Sequence, residues 1–267
     1  MLTYESLIEQ GKVRGMPGTK MRGILREYLQ VLILKELYKT EKGKDFYFTG
    51  GTYLRLLHNL KRFSEDLDFN TANITEKEFE NLLEKMKKEL KRTGLECEVK
   101  FSHWKNVFVS KLIFSNIERE YNVISKHSKK AGIIIKLETN NPKWETKSET
   151  QVISGFGEIY PCICTDKGVL FADKIDAFNK KNRARDIYDI IFMLSNKYSI
   201  DLKMMKKLGI EKDPLEVILE RIQTFSKKEL KKQAETVRPF LFNESEADLV
   251  INAHQILPQL LERYKQK

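Results

Sequence analysis

Residues 45–70 read DFYFTGGTYLRLLHNLKRFSEDLDFN. The first five, DFYFT, are a short apolar run that predicts a buried strand. Gly50 and Gly51 break it, and the segment from Thr52, TYLRLLHN, predicts a helix. The run DLDFN at 66–70 alternates in character and predicts a second strand. Along a strand, side chains at i and i+2 share a face. Asp66 and Asp68 therefore project together, with Leu67 and Phe69 toward the core. Two carboxylates held side by side repel unless a cation joins them. Oxygen donors on a strand suit Mg²⁺, which keeps waters and takes substrate phosphate oxygens as its remaining ligands. The same D-x-D also fits the polar outward face of an edge strand.

The spacing favours the metal reading. Glycines let the backbone approach a ligand closely, and a helix start offers free N–H groups and the positive end of a dipole. The 14 residues between Gly51 and Asp66 hold one helix and a return turn. That returns the acids to the sheet edge occupied by the glycine turn, one to hold metals and the other a triphosphate.

Outward from this stretch, residues 18–39 place Ile24, Leu25, Tyr28, Leu29, Leu32 and Leu37 at helical spacing. Residues 75–92 predict a helix with a capping box, Thr75 and Glu78, stopped by Gly94. Strands are predicted at 95–101, 106–114, 132–138 and 158–164, and helices at 166–181 and 184–196. From 201 the chain reads helical throughout, with breaks near Asp213-Pro214, Arg238-Pro239 and Asn243. This order predicts an α+β fold, with a mixed sheet flanked by helices over 1–197 and a C-terminal helical bundle over 198–267.

A two-metal site usually needs a third carboxylate. Glu138, the only acid of the run GIIIKLE, is the best-placed candidate; a solvent-facing glutamate at a strand end is the other reading. Lys174 sits early on a predicted helix, as a phosphate-binding charge, a general acid for pyrophosphate, or a surface lysine. Arg185, Asp186 and Asp189 open the next helix, where Asp186 also suits simple capping. In the tail, Leu215, Ile218, Leu219, Ile222, Leu249, Ile256, Leu257, Leu260 and Leu261 fit either a bundle core or a docking face.

Composition sets the setting. The 267 residues carry a formal charge of +10, which suits a polyanionic partner such as nucleic acid or nucleotide phosphates. The basic runs are residues 85–92 (KMKKELKR), 126–130 (KHSKK) and 180–185 (KKNRAR), and each also fits a solvated face. No apolar run reaches 18 residues, which argues against a membrane span. The 3 cysteines, Cys97, Cys162 and Cys164, form an odd count without a secretory signal, which points to a reducing cytoplasm. Cys162-x-Cys164 reads as small apolar residues in a strand, or as half of a soft-metal site. The four histidines, His58, His103, His127 and His254, lack zinc spacing.

Taken together, Gly50-Gly51-Thr52, Arg62-x-Ser64-x-Asp66-x-Asp68, Lys174-x-x-Ala177 and Arg185-Asp186-x-Tyr188-Asp189 resemble the AbiEii/AbiGii toxin family of nucleotidyltransferase-like proteins, over about 45–190. The resemblance implies a polymerase-β-like fold, use of Mg²⁺ and an NTP, and a bacterial toxin–antitoxin or phage-defence setting, with a possible cognate antitoxin. It implies transfer of NMP to RNA, notably tRNA acceptor ends, or binding of GTP. By position, Asp66 and Asp68 would bind metal, with Glu138 as a third ligand. Ser64 would contact phosphate, together with the Gly50, Gly51 and Thr52 turn, Arg62 and Arg185. Lys174 and Asp186 would be a further essential pair. A protein or small-molecule acceptor, or a non-catalytic module binding a nucleotide or partner, are the other readings.

Overall fold

A computed structural model describes residues 1–71, 74–123, 132–142 and 144–266. The basic run at 126–130, with His127, lies outside the described residues. The chain forms two compact units, Met1–Thr165 and Asp166–Lys267.

The first unit is built on a seven-stranded mixed sheet. Its strands are β1 (Phe46–Thr49), β2 (Leu67–Thr71), β3 (Glu98–Trp104), β4 (Val107–Phe114), β5 (Ile133–Asn140), β6 (Ser148–Gly155) and β7 (Glu158–Thr165). Their order across the sheet is β3-β4-β5-β2-β1-β7-β6. β1 runs antiparallel to β2 and parallel to β7, and β2 runs parallel to β5. The helices are α1 (Tyr4–Val13), α2 (Met21–Tyr38), α3 (Gly50–His58), α4 (Glu76–Arg92) and the short α5 (Ile117–Glu120).

Phe46 and Phe48 of β1 and Phe69 of β2 are at most 2% exposed and pack ring against ring. Burying each contributes about 2–3 kcal/mol. α4 begins at the expected capping box and lays Phe79 against Phe101 and Phe108 of the β3–β4 hairpin. α3 is fixed from beneath by an ion pair in which both side chains are 2% exposed, Arg55 Nε to Glu27 Oε2 of α2 at 2.9 Å. Arg14 also pairs with Glu27, at 3.1 Å. Such a buried network holds α2 and α3 in one arrangement, because separating either charge would leave its partner uncompensated.

Besides the short α5, two elements were absent from the sequence expectation. β6 was not expected, because SETQVISG is mostly polar and sits at the exposed edge of the sheet. Only its antiparallel pairing with β7 defines it. α1 was not expected either, since only Leu7 and Gly11 of its ten residues are buried and no apolar stripe marks it.

The second unit holds α6 (Lys167–Lys180), α7 (Ala184–Ser195), α8 (Leu202–Lys207), α9 (Pro214–Gln223), α10 (Lys227–Val237), α11 (Ala247–Ile251) and α12 (Ala253–Lys265). Its start at Asp166 differs from the expected boundary after 197. The reason is packing: α6 lies on α9, and α7 lies on α10 and α12. Both helices thus bury their apolar residues, such as Ile175, Phe178, Ile187 and Ile190, within the C-terminal bundle. Ile218, Ile222 and Leu257, open between core and docking face in the sequence, are fully buried. Among the described residues no helix is long and apolar enough to cross a membrane.

Candidate active site

The glycine turn and the acids meet as the spacing predicted. In the β1–β2 ladder Thr49, the residue before the turn, pairs with Asp68. Gly50 takes φ +80°, a conformation that side chains rarely adopt, and a β-carbon there would lie 2.9 Å from the Asp68 β-carbon. A β-carbon on Gly51 would lie 2.7 Å from Arg62 Nη2 and 2.9 Å from Ser64 Oγ. The two glycines thus have separate jobs. Gly50 makes room for Asp68, and Gly51 makes room for the Arg62 and Ser64 side chains behind it. The Gly50→Ala variant is expected to lose about 1–3 kcal/mol of stability, read as a lowered unfolding midpoint in denaturant.

Arg62 is 1% exposed, Thr52 fully buried and Ser64 9% exposed. The Thr52 hydroxyl donates to the Asp66 carbonyl, and Arg62 Nη1 donates to the Phe63 carbonyl at 3.0 Å. Gln30 Nε2 donates to the Ser64 carbonyl at 3.0 Å. These side chains brace the strand entry from inside. Their burial makes them supports of the turn.

Asp66 immediately precedes β2, and Asp68 lies within it. Asp68 pairs in parallel register with Glu138 of β5, so the two share a face with Asp66. Sequence reasoning missed Lys136. It stands two residues before Glu138 on the same face, and its Nζ lies 2.9 Å from Glu138 Oε2 and 3.4 Å from Asp66 Oδ2. Burial lowers its pKa, but the hydrogen bond to Glu138 and the charges of Asp66, Glu138 and Asp68 outweigh that and raise it overall. The ammonium is a resident counter-charge for the acids. The period-two alternation of GIIIKLE was the signal that could have found it.

Among the described residues no three His, Cys, Asp or Glu side chains converge closely enough to hold a metal ion by themselves. The donor set nevertheless fits Mg²⁺ completed by substrate. That ion is typically bound by one or two carboxylates plus phosphate oxygens and waters, and Asp66 and Asp68 supply two carboxylates on one face. Cys162 and Cys164 lie elsewhere, buried within β7 with their sulfurs 3.5 Å apart. The contact with Cys162, then burial, pushes the Cys164 thiol up, which suits packed thiols.

In the second unit, Lys174 Nζ donates to Asp189 Oδ2 at 2.7 Å, with the side chains 13% and 0% exposed. Asp186, 2% exposed, instead receives Arg183 Nε at 2.9 Å and Arg183 Nη2 at 3.3 Å. Lys174 thus pairs with Asp189, and Asp186 pairs with Arg183. Arg185 lies with its guanidinium carbon 5.7 Å from the Phe240 ring centre. Beside Lys174, burial and the Asp176 charge push the Asp173 carboxyl up to about 7, against the pull of Lys174.

A glycine turn feeding a helix, next to acids on one face of a mixed sheet, is the arrangement expected of a nucleotidyltransferase. The family described as nucleotidyl transferase AbiEii toxin, type IV toxin–antitoxin system, matches residues 32–243, and the chain belongs to that family. No curated protein sequence matches it significantly. Among solved structures it is similar to MenT4, a nucleotidyltransferase toxin from Mycobacterium tuberculosis H37Rv, at 17% identity and TM-score 0.58, covering 99% of this chain and 93% of that one. It is also similar to JHP933 from Helicobacter pylori, at 19% identity and TM-score 0.53, covering 92% of this chain and 94% of that one. At these identities the likeness is one of fold.

Proposed function

We propose that this chain is a Mg²⁺-dependent toxin that transfers NMP from an NTP to RNA, with tRNA as the acceptor class. It would act in the bacterial cytoplasm under control of a cognate antitoxin. The observation that carries the reading is the register of Asp68 against Thr49 on one side and Glu138 on the other. It gathers a glycine turn and three acids on one stretch of sheet.

In this reading the N–H groups at the start of α3 hold triphosphate oxygens. Asp66 and Asp68 would hold the metal, with Glu138 as the third ligand once Lys136 releases it. A bound metal would neutralise charge at the phosphates and lower the pKa of the attacking hydroxyl. That hydroxyl, on the RNA, forms a bond to the α-phosphorus. The α–β bridging P–O bond breaks, pyrophosphate leaves, and the hydroxyl proton passes to solvent or a carboxylate. Lys174, Asp186 and Arg185 keep the roles the family resemblance implies, as phosphate-binding and essential residues. The +10 charge is consistent with a polyanionic acceptor.

Incubation with Mg²⁺, total tRNA and each α-labelled NTP in turn tests the reading. Ribonuclease-sensitive label is the expected product. Label that resists ribonuclease would move the acceptor to a protein or small molecule, and label from none of the four NTPs would overturn the proposal.

A further inference from the structure

The sheet face that carries the acids extends past β5 onto β4 and β3. Lys136 pairs across the sheet with Lys111 of β4, and Lys111 pairs with Lys100 of β3. Paired residues share a face, and neighbouring strands lie roughly 4.8 Å apart, so the three ammonium stems form a row roughly 10 Å long. The opposite face of β3 and β4 is taken by α4, through Phe79 against Phe101 and Phe108. The lysine face therefore points away from α4, and Lys100 and Lys111 on it are exposed.

A row of like charges directly opposite one another is unfavourable by itself. Lys136 is compensated by the acids, and Lys100 lies 3.3 Å from Glu98 on its own strand. Among the described residues no carboxylate lies within ion-pair distance of Lys111. At the tip of the same face stands Trp104, 72% exposed. It pairs with Val107 at the end of the hairpin. A large aromatic ring held in water beside a cationic row is the combination that binds single-stranded nucleic acid: lysines follow the phosphates and the ring offers a stacking platform to any base.

We propose that the open face of β3, β4 and β5 is the RNA track of this enzyme. Trp104 stacks a base, and Lys111 and Lys100 hold the phosphates that precede the reactive end at Asp66 and Asp68. The inference rests on the RNA-acceptor reading above and adds to it the surface that recognises the strand. The exposed Trp104 ring favours RNA over an acidic protein segment, because a protein partner has no need of a base-sized platform beside the lysine row.

The test uses the full chain and an end-labelled short single-stranded oligoribonucleotide, followed by fluorescence anisotropy across a salt series. Lys100→Ala/Lys111→Ala is expected to weaken binding roughly tenfold at low salt. It should also flatten the slope of log K against log salt by about 1.4, from 0.7 for each lost phosphate contact. Trp104→Ala is expected to weaken binding about tenfold or more. These positions are exposed, so melting temperature and Mg·NTP affinity should match wild type. The chain has 2 tryptophans. In a Trp144→Phe background the remaining Trp104 emission should be quenched on adding the RNA, a signal that a merely structural residue would not give. Wild-type affinity and salt slope in both variants would overturn the track and leave this face to a protein partner. If those variants also transfer NMP to RNA at the wild-type rate, the acceptor reading survives while the track does not. A wild-type protein that neither binds the oligonucleotide nor labels RNA would overturn both.

Discussion

Asp68→Ala is expected to reduce nucleotide transfer about a thousandfold, roughly 4 kcal/mol of transition-state stabilisation, with the melting temperature nearly unchanged. Asp68 sits closest to the glycine turn, since its carboxylate fills the space that a β-carbon on Gly50 would take. It is also in register with Glu138. Loss of this side chain removes one of the proposed metal ligands and empties the wall of the turn. The fold should tolerate it. Asp68 is only half-buried, and Lys136 keeps its contacts with Asp66 and Glu138. Removing one of three crowded negative charges also relieves repulsion. Asp66→Ala should fall in the same range, because its side chain is one-third exposed and its carbonyl still accepts the Thr52 hydroxyl. Transfer rate and thermal melting measured on the same preparations check both. A folded Asp68→Ala protein with near wild-type transfer would remove Asp68 from the chemistry.

The second large effect lies in the second unit. Lys174→Met leaves the fully buried Asp189 carboxylate without its ammonium partner. Removing one member of a buried ion pair costs about 3–5 kcal/mol, on the order of 20 °C in the melting of a unit this size. The double variant Lys174→Met/Asp189→Asn removes the buried negative charge as well, and should recover most of that stability. Transfer should not recover with it, if the Lys174 charge serves phosphate. Stability restored with activity still absent therefore separates a functional lysine from a purely structural one. Equal recovery of both would assign the pair to the core alone.

Much of this was legible in the sequence because the signals were local. The glycine turn, the D-x-D alternation and the Thr75–Glu78 box each depend on neighbours a few residues apart. β1, β2, α3 and α4 accordingly lie within one or two residues of their predicted limits. The rest depended on long-range pairing. β6 is an edge strand whose residues face water, so no hydrophobic pattern could announce it. The placing of Glu138 beside Asp68 is a matter of register between β2 and β5, which are far apart in sequence. Lys136 was readable from its spacing to Glu138, but an interior lysine in an apolar strand looks like a solvent-facing residue until the neighbouring acids are known. The pairing of Lys174 with Asp189 is set by how α6 and α7 lie together, which helix periodicity alone leaves open.

The central claim is that the acids beside the glycine turn carry out nucleotidyl transfer. The most direct measurement is Mg²⁺-dependent transfer of α-phosphate label from an NTP, with pyrophosphate counted in the same reaction, for wild type beside Asp66→Ala/Asp68→Ala of matched melting temperature. One pyrophosphate for each labelled acceptor is expected in wild type, and neither product in the variant. Equal label from both proteins, or none from a folded wild type with any of the four NTPs, would contradict it.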